Sequence, residues 1–147
     1  TGKNPTEYIS LAEKMKKDWV WMPHAGHFIC GNECRFHLNT YVNGYIVSTV
    51  GEYLPDEGSR EIIAKSKGVM LEGRGDDRRT DFMDKVGWVE IGCDRKYETM
   101  VFNGKKSGAG CCPYDMVSGT NLDFEGYNKA DDAYKGHMKM CKKWAKK

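Results

Sequence analysis

The sequence has no apolar run that approaches the roughly 20 residues a membrane-spanning helix needs, so the pattern offers no transmembrane helix. It has little net charge. The formal value is +2 over 147 residues, and no global field calls for a polyanionic partner. No stretch reads as a signal peptide, and no internal repeat is visible. Residues Gly104 to Gly110 hold the residue types of a phosphate loop in the wrong order: neither Gly-x4-Gly-Lys-Ser/Thr nor Gly-x-Gly-x-x-Gly is present. Lys105, Lys106 and the glycine amides can at most cradle one anion. Tyr45, Tyr53, Tyr97 and Phe102 have few basic neighbours in sequence, which argues against a stacking surface for nucleic acid.

What is present describes an ordinary globular chain. Aromatic residues make up 12% of it, too many for a disordered segment. The length suits one domain over residues 1–147, burying about 68–70% of the surface its unfolded chain exposes. Charge is uneven. Lys135 to Lys147 holds six lysines and no acid, leaving −4 for the rest. A basic last turn complements a helix dipole, and that alone accounts for the bias. The chain has six cysteines. A chain able to build a core does not need a disulfide framework, and the adjacent pair Cys111-Cys112 fits one poorly. Reduced thiols and a cytoplasmic location are therefore expected.

The clearest local signal is Asn43-Gly44, between two runs of β-branched and aromatic residues. Both residues tolerate the positive φ of a type I′ turn. A reversal there pairs Val42 with Tyr45, Thr40 with Val47, Leu38 with Thr49, His37 with Val50 and Arg35 with Glu52. Alternation then sorts the side chains. Phe36, Leu38, Thr40, Val42, Tyr45, Val47 and Thr49 form a core face. Arg35, His37, Asn39, Tyr41, Ile46, Ser48, Val50 and Glu52 share the other. The simpler reading of this second face is a wetted surface with an Arg35–Glu52 rim pair. The sharper reading is a polar binding floor.

Asn4-Pro5-Thr6-Glu7 opens an amphipathic helix over about 5–19. A short strand is expected at His27–Cys30. Helices are expected over 59–67 and from Asp77 or Thr80 to Val86, with Arg74-Gly75-Asp76 a chance tripeptide in the loop between. Val69–Leu71 is a short strand or connector. Trp88–Ile91 and Lys96–Phe102 read as a second hairpin. Residues 103–126 read as a long Gly-rich loop, usually functional or mobile. A helix follows over 126–145, with Tyr127, Ala130, Tyr134, Met138, Cys141 and Trp144 as its apolar stripe. This order indicates an α+β domain: a mainly antiparallel sheet built from two hairpins, with N- and C-terminal helices packed on one face.

Three functional readings follow. The first is a non-enzymatic binding or accessory protein that meets a protein or small-molecule ligand through its sheet face and residues 103–126. The second is a small hydrolase-like enzyme in which His37 and Glu52 do acid–base work while Arg35 and Asn39 orient substrate. Glu90 and Glu98 also sit in apolar strands, where burial can raise a carboxyl pKa. The third is a zinc protein. His24, His27 and His37 lie near Cys30 and Cys34, and the set Cys30, Cys34, His137 and Cys141 satisfies a tetrahedral count in two close pairs. Two points weigh against it: three residues separate Cys30 from Cys34, and Cys141 fits an apolar stripe. Cys111 or Cys112 with His137 is a further, weaker thiol-nucleophile pairing.

Overall fold

The structure, a computed structural model, describes residues 19–27, 34–92 and 94–147. The expected N-terminal helix, apart from Trp19, and the expected strand beyond His27 lie outside these residues. The described elements are β1 (Val20–Met22), β2 (Cys34–Val42), β3 (Tyr45–Tyr53), α1 (Glu57–Ser66), α2 (Asp76–Lys85), β4 (Tyr97–Lys106), β5 (Tyr114–Met116), β6 (Asp123–Tyr127) and α3 (Ala130–Ala145). The strands form one antiparallel sheet in the order β1-β2-β3-β4. The far edge of β4 is shared, β6 pairing with residues 97–101 and β5 with residues 104–106.

The reversal lies where the turn chemistry places it. Asn43 and Gly44 have φ of 49° and 88°, the left-handed values a type I′ turn requires. The register follows: Val42 faces Tyr45, Thr40 faces Val47, Leu38 faces Thr49 and His37 faces Val50. β4 extends the same rows, with Val101 opposite Val47, Thr99 opposite Thr49, Met100 opposite Ser48 and Glu98 opposite Val50.

The second hairpin is not formed as a ladder. Within 88–91, Val89 makes a single bridge to Tyr53, and Gly92 bridges Arg95. β3 offers a nine-residue strand with a free edge, and β4 takes that edge instead. The Gly-rich stretch is also more regular than its composition indicates. Residues 103–106 continue β4, and two short strands, β5 and β6, lie within the remainder. Because β6 uses Gly126 and Tyr127, α3 begins at Ala130.

α3 covers the face bearing Thr40, Val42, Val47 and Val101, where Trp19, Met138, Met140 and Cys141 complete the core. Phe36, Tyr97, Tyr127 and Ala133 continue it towards the helix N-terminus. The buried stripe of α3 is rotated from the expected one and centres on Ala133, Gly136, His137, Met140 and Cys141, with Met138 beside them. Gly136 explains the rotation. A Cβ there would lie 2.1 Å from the Tyr127 hydroxyl oxygen, so a ring occupies the space a side chain would take. α1 and α2 form a smaller cluster around Leu54, Ala64, Leu71 and the fully buried Phe82. Asp56 caps α1 by accepting the Ser59 amide at 2.8 Å, so the helix starts at Glu57 rather than at Ser59.

The second face is not wetted as the simpler reading expected. Met22, Ile46, Phe102 and Met116 form an apolar cluster on it, with Tyr41, Met100, Cys112 and Tyr114 against them. Tyr114 stacks on Tyr41 with centroids 3.6 Å apart and planes 9° apart. β5 and the segment before it therefore fold over this face.

Gly136 supplies a test. Gly→Ala inside a helix stabilises an isolated helix by about 1 kcal/mol. Here Gly136→Ala is expected to lower stability by about 1–3 kcal/mol, because the added methyl displaces Tyr127. Urea unfolding measures it, and a variant as stable as the parent would show that the ring does not hold this place.

Candidate functional site

Each sheet face carries one buried histidine. On the α3 face, His137 is completely buried. Its Nε2 lies 2.8 Å from Thr40 Oγ1 and its Nδ1 lies 2.7 Å from Thr49 Oγ1, which in turn lies 2.6 Å from Thr99 Oγ1. Both ring nitrogens are occupied, and burial pushes the His137 pKa down to about 3. It is a neutral strut from the helix to three strands. Cys141, one turn on, is fully buried, and burial pushes its thiol pKa up.

On the second face, residues 24–27 cross the sheet. His27 is 4% exposed. Its Nδ1 lies 2.7 Å from Ser48 Oγ and its Nε2 lies 3.5 Å from Glu98 Oε1. A serine, a histidine and a carboxylate are the residue types of a nucleophilic triad. Ser48 is nevertheless completely buried and Glu98 is 5% exposed, so no substrate carbonyl reaches the hydroxyl. The trio pins the 24–27 segment to the sheet.

Beside this anchor lies a cavity of about 220 Å³ between the sheet and the segment leading into β5. His24, Asn39, Cys111, Cys112, Tyr114 and Asp115 are among the residues that line it. Asn39 is 5% exposed, and its Nδ2 donates to the His24 carbonyl at 2.7 Å. That bond fixes the amide, and Oδ1 then has no hydrogen-bond partner among the described residues. At the cavity wall His24 Nδ1 lies 3.4 Å from Cys112 Sγ. One ligand atom from each of His24, Cys111 and Cys112 lies within 4.8 Å of the others. Burial, together with neighbouring Cys111 and Asp115, pushes the Cys112 thiol pKa up.

The residues singled out in the sequence separate in the structure. His37 is exposed, and its Nε2 donates to the Pro23 carbonyl at 2.7 Å. Glu52 pairs with Arg35, as the register implies, and its φ of 53° interrupts the strand alternation there. No hydrogen bond or ion pair joins His37 to Glu52 among the described residues. Of the hydrolase set, Asn39 alone lines the cavity, and the carboxylate that reaches the polar floor is Glu98.

Among the described residues, the proposed zinc ligands do not converge either. Cys34 is disulfide-bonded and has no thiolate to offer, and it packs on Val50 and Ile91. His137 and Cys141 lie under α3. Cys30 lies outside the described residues. The expectation of uniformly reduced thiols thus fails at Cys34, while Cys111, Cys112 and Cys141 are free. The sequence pointed to His24, His27, Cys111 and Cys112 separately. What it did not supply was the chain path that joins them. No helix among the described residues is long and apolar enough to cross a membrane. No family model, curated protein or solved structure matches the chain.

Two measurements test the buried groups. The folded-state pKa of His137 is depressed, so its contribution is fully present above about pH 6.5 and is lost as pH falls towards 3. One pKa unit is worth about 1.4 kcal/mol. Unfolding free energy should therefore fall more steeply from pH 6.5 to pH 4 in the parent than in His137→Gln, by up to about 3 kcal/mol; parallel profiles would refute the assignment. Glu98→Gln should cost about 1–3 kcal/mol in urea unfolding, because His27 loses its charged neighbour. A change under about 0.5 kcal/mol would mean that Glu98 does not anchor the segment.

Proposed function

We propose that this chain is a non-enzymatic binding protein that takes a small polar ligand into the cavity between the second sheet face and the segment before β5. The observation that carries this reading is the cavity of about 220 Å³ itself, with His24, Asn39, Cys111, Cys112 and Asp115 among its lining residues. The cavity has the composition of a recognition site: apolar walls from Ile46 and Met116, and a few polar groups that set orientation. Its floor belongs to a sheet packed on both sides and its outer wall belongs to residues 103–126, the two parts of the chain expected to meet a partner. The complete burial of Ser48 supports a binding role over a hydrolytic one, since its hydroxyl is closed to a substrate carbonyl.

The site is small, which limits the ligand to a compact molecule or ion. Ala109 is exposed and lines the opening, so Ala109→Trp fills the cavity from outside without touching the sheet. A thermal-shift screen of amino acids, small carboxylates, sugars and metal ions against parent and variant tests the reading. A ligand at about 100 times its Kd stabilises the folded state by about 2.7 kcal/mol, roughly 5–10 °C in Tm for a chain this size. The expected result is a shift in the parent that Ala109→Trp abolishes. A screen in which every shift is shared by both proteins removes the proposal.

A further inference from the structure

We propose that His24, Cys111 and Cys112 form a binding site for a thiophilic divalent metal ion, zinc in the first instance, with its fourth position open to the cavity. The inference rests on the reading of that cavity as a binding site and names its ligand class.

The geometry comes first. Zinc binds sulfur at about 2.3 Å and imidazole nitrogen at about 2.0–2.1 Å. A tetrahedral ion at those lengths holds two sulfurs about 3.8 Å apart, and sulfur and nitrogen about 3.6 Å apart. His24 Nδ1 and Cys112 Sγ are already 3.4 Å apart. The three ligand atoms all lie within 4.8 Å of one another, so closure onto one ion needs movements of about 1 Å or less. Cys111 and Cys112 occupy the connection between β4 and β5, where side chains have room for such a movement.

The donor set is selective. Two thiolates and one imidazole favour zinc or another soft ion over magnesium or calcium. Three protein ligands with one position left open is the pattern of zinc sites that also bind a small molecule. Here that position opens on the cavity, which Asn39 and Asp115 also line. His24 is held for this role. Its carbonyl accepts from Asn39, and His27, three residues on, is pinned beneath the segment by Ser48. A dication replaces the two thiol protons, which leave to solvent, and neutralises the resulting negative charge without any redox step.

The test uses the full chain, with Cys111 and Cys112 shown to be free by thiol titration. Under anaerobic conditions it is titrated with Co2+, then with Zn2+ in competition. The expected result is one equivalent of Co2+ with thiolate-to-cobalt charge-transfer absorption in the near ultraviolet, displaced by one equivalent of Zn2+. Cys111→Ser, Cys112→Ser and His24→Ala should each weaken binding at least tenfold while circular dichroism shows the fold retained. Cys141→Ser, under α3, should leave binding unchanged. Absence of the charge-transfer band, or its survival in the Cys111→Ser/Cys112→Ser double variant, overturns the proposal. Uptake of Cu(I) without Zn2+ or Co2+ overturns the choice of ion. Absence of the band together with a shift by an organic ligand that Ala109→Trp blocks overturns the metal site and leaves the binding-protein reading standing.

Discussion

His137 joins the last helix to the sheet through hydroxyl groups on two adjacent strands, and a third strand joins through Thr99. A buried imidazole is stabilised when both nitrogens find partners. That pairing ties together the register of β2, β3 and β4 and the rotation of α3. A helix turned by one residue would take the ring off Thr40 and Thr49 and bury two unpaired nitrogens. Gly136 works to the same end, since Tyr127 can lie against the helix at only one place. The α3 face is therefore fixed by polar pairing and by shape, with hydrophobic burial supplying the bulk of the driving force.

With one face closed by the helix, the use of the other face decides what the chain can do. Its rows read Tyr41–Ile46–Phe102, then Asn39–Ser48–Met100, then His37–Val50–Glu98 across the three central strands. The first row is apolar and is capped by Met22 and Met116. The middle row is polar, and the 24–27 segment lies over it with His27 between Ser48 and Glu98. The last row reaches solvent at His37. Polarity thus increases along the strands, and the cavity opens where the apolar cap meets the polar row.

The hairpin was legible because Asn43-Gly44 determines its own turn, and a turn with two residues fixes every pairing behind it. From that one fact came the two faces, the Arg35–Glu52 pair and the shared position of His37, Asn39 and Ser48. The second face misled because alternation says which residues share a side, not what covers it. Ile46, Ser48 and Val50 look like a mixed surface in isolation, and only the arrival of β5 and residues 24–27 buries them. The second hairpin misled for a related reason. Residues 88–91 have strand composition, but β4 had a longer partner in β3, and long-range pairing overrode the local one. The expected helix stripe follows apolar side chains and so leaves out Gly136 and His137, which lie at the centre of the buried face.

The candidate site was the least legible part, since its members come from places far apart in the chain. His24 and Cys112 are 88 residues apart. His27 and Glu98 were each visible as possible chemistry, yet a sequence gives no reason to pair them. The spacing of His24 and His27 carries the useful information once the structure is known. One histidine faces down into the sheet, where it hydrogen-bonds Ser48 and lies 3.5 Å from Glu98. The other lines the cavity with its backbone held by Asn39. A backbone held in this way loses little freedom when its side chain engages a ligand, and less binding free energy is spent on ordering the segment. The same polar row therefore serves two ends: it anchors the crossing segment, and it presents His24 to the two thiols of the connection into β5.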